Sequence, residues 1–214
     1  VNHPTSPGMA SFAGWDDGVV GRASHWSEDF DAIEVDNAGE VDDFLAFYLD
    51  CVNHGVLAAP VGVSDAHGPT SGGVGLNTTF FAMDALTDEA LLDAAGGRHT
   101  VVSRGPFLQL SVLPGSVVQG STTLDVQALG PTWMVVDRLV LLRDGMPVQT
   151  VQGTSATFDL APEADASYVV IAEGDQAMGG VWGGTTPWAM SSAILVDVAG
   201  DGWTAPEGAF TFRD

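Results

Sequence analysis

The chain has 214 residues, 45% of them hydrophobic, and 28 acidic side chains against six basic ones give a formal net charge of −22. All six basic residues are arginine, which argues against nucleic acid or an anionic membrane surface as a partner, because phosphate binding needs cationic side chains. No run approaches 18 apolar residues, so no membrane-spanning helix is expected. The acidity suits a salty medium, where self-repulsion is screened, or bound divalent cations. Cys51 is alone and cannot form an internal disulfide; on its apolar helical background it reads as a packed thiol. The chain opens on Val1 without a signal-peptide pattern, and its N-terminus is read as cut or processed.

Phe30 to Val35 alternates as a strand and is followed by turn residues Asn37-Ala38-Gly39. Glu40 to His54 reads as a helix, with Val41, Phe44, Leu45, Tyr48, Leu49 and Val52 recurring at the helical period. Asp42 and Asp43 suit its first turn, and His54 with Gly55 suits its end. Val61 to Ser64 is the next strand, and Asp88 to Ala95 a second helix with Thr87 as N-cap and Gly96-Gly97 as the stop. This strand and helix alternation predicts an α/β layer with parallel strands. Past Pro106 the pattern changes to short strands: 108–112, 122–128, 135–142, 147–151, 156–160, 168–172 and 193–196. Asp144-Gly145 between two of them is a hairpin signal. The prediction is two domains, 1–112 α/β and 113–214 an all-β sandwich, with the boundary near 112–118.

The most informative stretch is Val61-Gly62-Val63-Ser64-Asp65-Ala66-His67-Gly68. Residues i and i+2 of a strand point to the same side, so Asp65 and His67 present an oxygen and an imidazole nitrogen to one point at its C-terminal end. That pair suits zinc or manganese. Asp197, Asp201 and Gly202 have some of the spacing of a calcium loop, but Ala199 stands where the central acid belongs.

Asn2-His3-Pro4, Phe30-Asp31-Ala32-Ile33-Glu34-Val35-Asp36-Asn37, Gly62-Val63-Ser64-Asp65-Ala66-His67-Gly68 and Val101-Val102-Ser103-Arg104-Gly105-Pro106-Phe107-Leu108 occur in this order. Together with the tail 193–202 they resemble the PHP (polymerase and histidinol phosphatase) superfamily of metallohydrolases, in particular its CehA/McbA-like branch. The resemblance implies the C-terminal half of a distorted (β/α)7 barrel, followed by the sandwich. It implies that His3, Asp65 and His67 are metal ligands for Zn or Mn, with Fe a further candidate. The family's earlier ligands would lie upstream of Val1, so a missing N-terminal barrel half, on another chain or removed, is expected as a partner. The activity implied is hydrolysis of a small-molecule phosphoester, carbamate or other ester by metal-activated water. The family usually has an aromatic residue where Asp36 stands, so the substrate wall differs there.

Three further residues are candidates for substrate binding. Asn37 either touches substrate, orders the metal shell or stabilises its turn. His25, beside Trp26, lies in a loop, and Arg104 either binds an anionic substrate group or forms a structural ion pair. The rival expectation is a non-catalytic binding or scaffold protein, a barrel remnant carrying a ligand-binding sandwich. Acidity without lysine and a sandwich module are compatible with a secreted or periplasmic protein, by analogy alone.

Overall fold

In a computed structural model of the chain, residues 1–5, 19–20, 29–37, 41–68, 74–179 and 184–212 are described. In chain order the elements are β1 (Val19–Val20), β2 (Ala32–Asn37), α1 (Asp42–Asn53), β3 (Ala59–Val63), β4 (Thr78–Phe81), α2 (Asp88–Gly96), β5 (Thr100–Arg104) and β6 (Phe107–Leu110). There follow β7 (Val117–Gln119), β8 (Thr122–Leu129), β9 (Arg138–Arg143), β10 (Met146–Gln152), β11 (Ser155–Leu160), β12 (Ala166–Glu173), β13 (Trp188–Ser191), β14 (Ile194–Asp197) and β15 (Thr211–Phe212). An eight-stranded sheet forms the middle layer, with main path β10-β9-β12-β13-β5-β4, and with β14 and β7 branching from β12. On one face lies the β2-α1-β3 unit; on the other lies a three-stranded antiparallel sheet, β11-β8-β6.

The middle sheet is apolar on both faces, and residue parity assigns each side chain to a layer. On β12, Val169 and Ile171 join the core under α1, whereas Tyr168, Val170 and Ala172 join the core shared with the three-stranded sheet. Leu142 and Leu141 on β9, Met190 and Ala189 on β13, Leu195 and Ile194 on β14, and Val102 and Val101 on β5 divide in the same way. Across the first core α1 contributes Phe47, Tyr48, Cys51 and Val52 at helical spacing, and β2 contributes Ile33 and Val35. Across the second stand Leu108 of β6, Leu124 and Val126 of β8, and Phe158 and Leu160 of β11.

This architecture overturns the expected half of a (β/α)7 barrel. A barrel of that kind requires successive parallel strands, each followed by a helix. Among the described residues β2-α1-β3 is the one such unit, with β2 and β3 parallel. The next helix, α2, joins β4 to β5, and these pair antiparallel, so the chain turns back instead of continuing a barrel. β5 then pairs antiparallel with β13, from far along the chain. β4 and β5 thus belong to the eight-stranded sheet, while β2 and β3 form a separate parallel pair. The β-sandwich expectation agrees with the structure, in which the middle and three-stranded sheets pack face to face. The expected boundary near 112–118 runs through the middle sheet, which takes β4 and β5 from before it and β9, β10, β12 and β13 from after it.

Tyr48 crosses from α1 to the middle sheet, where its hydroxyl accepts the Ala193 amide N–H at 3.0 Å. It also lies 3.4 Å from the Ser192 hydroxyl. Full burial pushes its phenol above the ordinary value of 10.0, because ionisation in the core is penalised by desolvation. The unfolded chain therefore ionises first on going alkaline. The stabilisation is complete below about pH 10 and is lost as pH rises from there through the higher folded value. Urea midpoints measured between pH 8 and pH 11, roughly the window set by that value, should fall for the wild type and flatten for Tyr48→Phe. At neutral pH the variant should be less stable by about 1–3 kcal/mol, because the Ala193 N–H is left without its acceptor.

Candidate functional site at the ends of the parallel strands

The β2 sequence Ala-Ile-Glu-Val-Asp-Asn alternates apolar and acidic residues, as a strand with one wet face does. Here the acidic face is buried too: Glu34 is 1% and Asp36 0% exposed. The register with β3 shifts between Glu34 and Asp36, an irregularity of the kind that re-aims side chains at a strand end. Two polar groups satisfy Asp36. Asn77, just ahead of β4, donates Nδ2–H to Oδ1 at 2.6 Å, and Arg104, closing β5, donates Nε–H to Oδ2 at 3.0 Å. The Arg104 guanidinium carbon also stands 5.7 Å from the centroid of the Trp188 ring, within cation–π range. The Asn77 Oδ1 is buried without a hydrogen-bond partner.

Residues 1–3 run beside β2: Glu34 N–H donates to the Val1 carbonyl at 3.0 Å. His3 N–H in turn donates to Glu34 Oε2 at 2.5 Å. The His3 ring Nδ1 is 2.9 Å from Asn37 Nδ2 and 3.3 Å from Glu34 Oε2. Donation by Asn37 fills the Nδ1 lone pair and leaves the proton of the neutral ring on Nε2. Coordination through Nε2 requires the proton on Nδ1, where Glu34 is placed to accept its hydrogen bond.

β3 pairs with β2 so that Val63 is opposite Asn37, and Ser64, Asp65, Ala66 and His67 continue beyond that edge. Asp65 Oδ1 lies 3.3 Å from His67 Nε2, and both side chains are exposed, the imidazole at 84%. His3 has φ of 48° and Asp65 φ of 47°, and only Arg98 and Asp144 share this left-handed conformation among the described non-glycine residues. Such backbone is costly for a residue bearing a Cβ and persists where the surroundings over-determine it.

Of the three expected metal ligands, Asp65 and His67 are brought together. His3 is not within 4.8 Å of both; among the described residues one group of three ligand-bearing side chains meets that spacing, and it is Asp50, His54 and Glu207. His3 is instead held on β2 by Glu34 and Asn37. Asn37 thus orders the histidine, donating to Glu34 Oε1 at 3.3 Å as well. Arg104 is engaged in the buried pair with Asp36, the structural ion pair that was one of its two expected uses. His25 lies outside the described residues. The carboxylate of Asp197 accepts the Gly200 and Gly202 amides at 2.7 and 2.9 Å, so the calcium-like spacing serves a backbone turn. The sequence singled out Asp36 but not its partner Asn77, which stands about forty residues further on and carries no local signal.

No protein-family model matches the chain, and no curated protein does. Among solved structures, the fibronectin(III)-like modules of Clostridium thermocellum CbhA align with a TM-score of 0.26 and 20% identity, over 43% of this chain and 95% of that one. A Jonesia denitrificans lytic polysaccharide monooxygenase aligns with a TM-score of 0.29 and 13% identity, over 70% of this chain and 94% of that one. Similarity this low carries no argument about fold or function.

The Asp36–Arg104 pair yields a direct test. Asp36→Asn leaves a buried guanidinium without its carboxylate and should cost about 3–5 kcal/mol in urea unfolding. The double variant Asp36→Asn/Arg104→Met should lose clearly less, since no uncompensated charge remains.

Proposed function

We propose that the chain is a metal-dependent hydrolase of PHP type, acting on a small-molecule phosphoester, carbamate or other ester at the edge where β2 and β3 end. The observation that carries this reading is the coincidence of ligand chemistry with backbone strain. Two of the few left-handed non-glycine residues, His3 and Asp65, are also two of the three proposed ligands, and they flank adjacent parallel strand ends. Ligand sites in α/β units form outside the carboxyl ends of parallel strands.

Asp65 supplies a carboxylate and His67 an imidazole on one exposed loop, a donor pair that suits a divalent cation; His3, held beside β2 by Glu34 and Asn37, would have to move toward that loop to serve as the third ligand. Zinc or manganese suits this mixture of nitrogen and oxygen, and iron does as well. A bound cation of this class lowers the pKa of water and polarises a phosphoryl or carbonyl oxygen. Glu34 and Asn37 both approach the His3 ring at Nδ1, and coordination through Nε2 would make Glu34, as acceptor, the Nδ1 partner in place of Asn37. Next to Asn37 in sequence, Asp36 is held in its buried pair with Arg104, whose guanidinium lies 5.7 Å from the Trp188 ring centroid. With 28 acidic side chains against six basic ones, the chain repels anionic substrates, and a cation at the strand ends offsets that repulsion locally.

Purified protein should hydrolyse p-nitrophenyl phosphate or p-nitrophenyl acetate after loading with Zn2+ or Mn2+, and chelation should abolish the activity. His67→Ala should lower kcat/KM by roughly 100-fold or more, in line with the cost of disturbing a metal's ligand set. Hydrolysis by His67→Ala at the wild-type rate would refute the assignment.

A further inference from the structure

At the opposite end of the β2-α1-β3 unit, where α1 gives way to the chain leading into β3, three ligand-bearing side chains converge. His54 Nε2 lies 3.3 Å from Asp50 Oδ1, one turn earlier on the helix, and 3.3 Å from Glu207 Oε2, on the C-terminal segment. All three ligand atoms lie within 4.8 Å of one another. The Asp50 and His54 side chains are 5% and 7% exposed, and Glu207 opens to solvent at 52%.

The hydrogen bonding of His54 defines what this group needs. Its Nδ1 is 2.7 Å from the Gly208 carbonyl, which can only accept, so Nδ1 carries the ring proton. In the neutral ring Nε2 then presents a lone pair, buried and without a hydrogen-bond partner, toward two carboxylates. Three electron-rich atoms facing one another repel unless a proton or a metal cation lies between them, and Asp50 brings one of the two carboxylates from the last turn of α1.

We propose that Asp50, His54 and Glu207 bind a divalent cation of the zinc class, which clamps the end of α1 to the C-terminal segment. The 3.3 Å separations are compatible with a shared ion, since a tetrahedron with bonds of roughly 2.0–2.1 Å has an edge of about 3.4 Å. One imidazole and two carboxylates suit zinc, whereas calcium takes six to eight oxygens at longer range. The Nδ1–H to Gly208 carbonyl contact is the outer-shell bond that metal-ligating histidines characteristically make. Further contacts already hold the two segments in register: Phe210 stacks on the His54 ring at 4.3 Å, and Glu207 N–H donates to the Asn53 carbonyl at 3.0 Å. The solvent-facing side of Glu207 leaves room for a water as fourth ligand.

The site is separate from the strand-end centre, so it is tested in a His67→Ala background, where that centre is disabled. Co2+ serves as the spectroscopic probe and Zn2+ as the stabilising ion. The His67→Ala protein should bind one equivalent of Co2+ with the intense visible absorption of tetrahedral coordination, and Zn2+ should raise its Tm. Adding His54→Ala should abolish both effects. Glu207→Gln, at a half-exposed position where folding is not at risk, should weaken Zn2+ binding by roughly 100-fold. Absence of the Co2+ signal in the His67→Ala protein would overturn the proposal and leave His54 as an ion-paired imidazolium. Retention of the signal with unchanged Zn2+ affinity in the Glu207→Gln or His54→Ala double variants would overturn it equally.

Discussion

Burial of the middle sheet on both faces is the constraint from which the remaining structure follows. β12 places Val169 and Ile171 on one side and Tyr168, Val170 and Ala172 on the other, so neither face tolerates water. Two covering layers are therefore required. The α1 face supplies one and the β11-β8-β6 sheet the other. Each cover is amphipathic in its own period: α1 at 3.6 residues, and β8 at two residues, where Leu124, Val126 and Ala128 point inward. A substitution that makes one face of β12 polar would therefore detach a whole layer rather than a single contact.

The polar groups of the molecule gather where this layering ends. β2 is buried on both sides, yet it carries Glu34, Asp36 and Asn37, so each of these must find a protein partner. Asp36 finds Arg104, at the end of β5, and Asn77, just ahead of β4, and Glu34 finds His3, from the segment beside β2. Such a network holds its side chains in place because moving any one of them leaves a buried charge or dipole unmatched. At the far end of the same unit, Asp50 and His54 meet Glu207 under the same rule. The β2-α1-β3 unit is thus polar at both tips and apolar along its length, an arrangement suited to sites whose geometry must not drift.

Much of the local structure was legible in the chain. The helical period of Phe44, Tyr48 and Val52 located α1, and Thr87, whose hydroxyl accepts the Ala90 N–H at 3.2 Å, located the start of α2. Asp144-Gly145 marked the hairpin between β9 and β10, and both residues take the left-handed backbone that such a turn needs. The strands that went unread, β1, β4, β7, β13 and β15, are short, and most of their partners lie far away in sequence: β13 pairs with β5 some ninety residues earlier, Trp188 opposite Arg104. Short apolar runs carry no period that announces a distant partner. The barrel expectation failed for the same reason. Strand, helix, strand, helix is equally the pattern of parallel strands and of a chain that turns back, and the direction in which β5 pairs settles the matter.

The candidate chemistry divides along similar lines. Asp65 and His67 lie close because they are two residues apart, but in a loop beyond β3 where Asp65 is left-handed, so strand parity is not what joins them. His54 was readable only as the end of a helix, because its partners include Glu207, at the far end of the chain. Asp36 was read as a change in the substrate wall, whereas Arg104 and Asn77 are brought against it in a buried cluster. Periodicity, caps and turns are written in neighbouring residues, so the chain alone set the elements and the inward face of each. Strand direction, the pairing of buried charges and the meeting of residues 54 and 207 depend on which surfaces must be hidden together, and these appear only once the layers are packed.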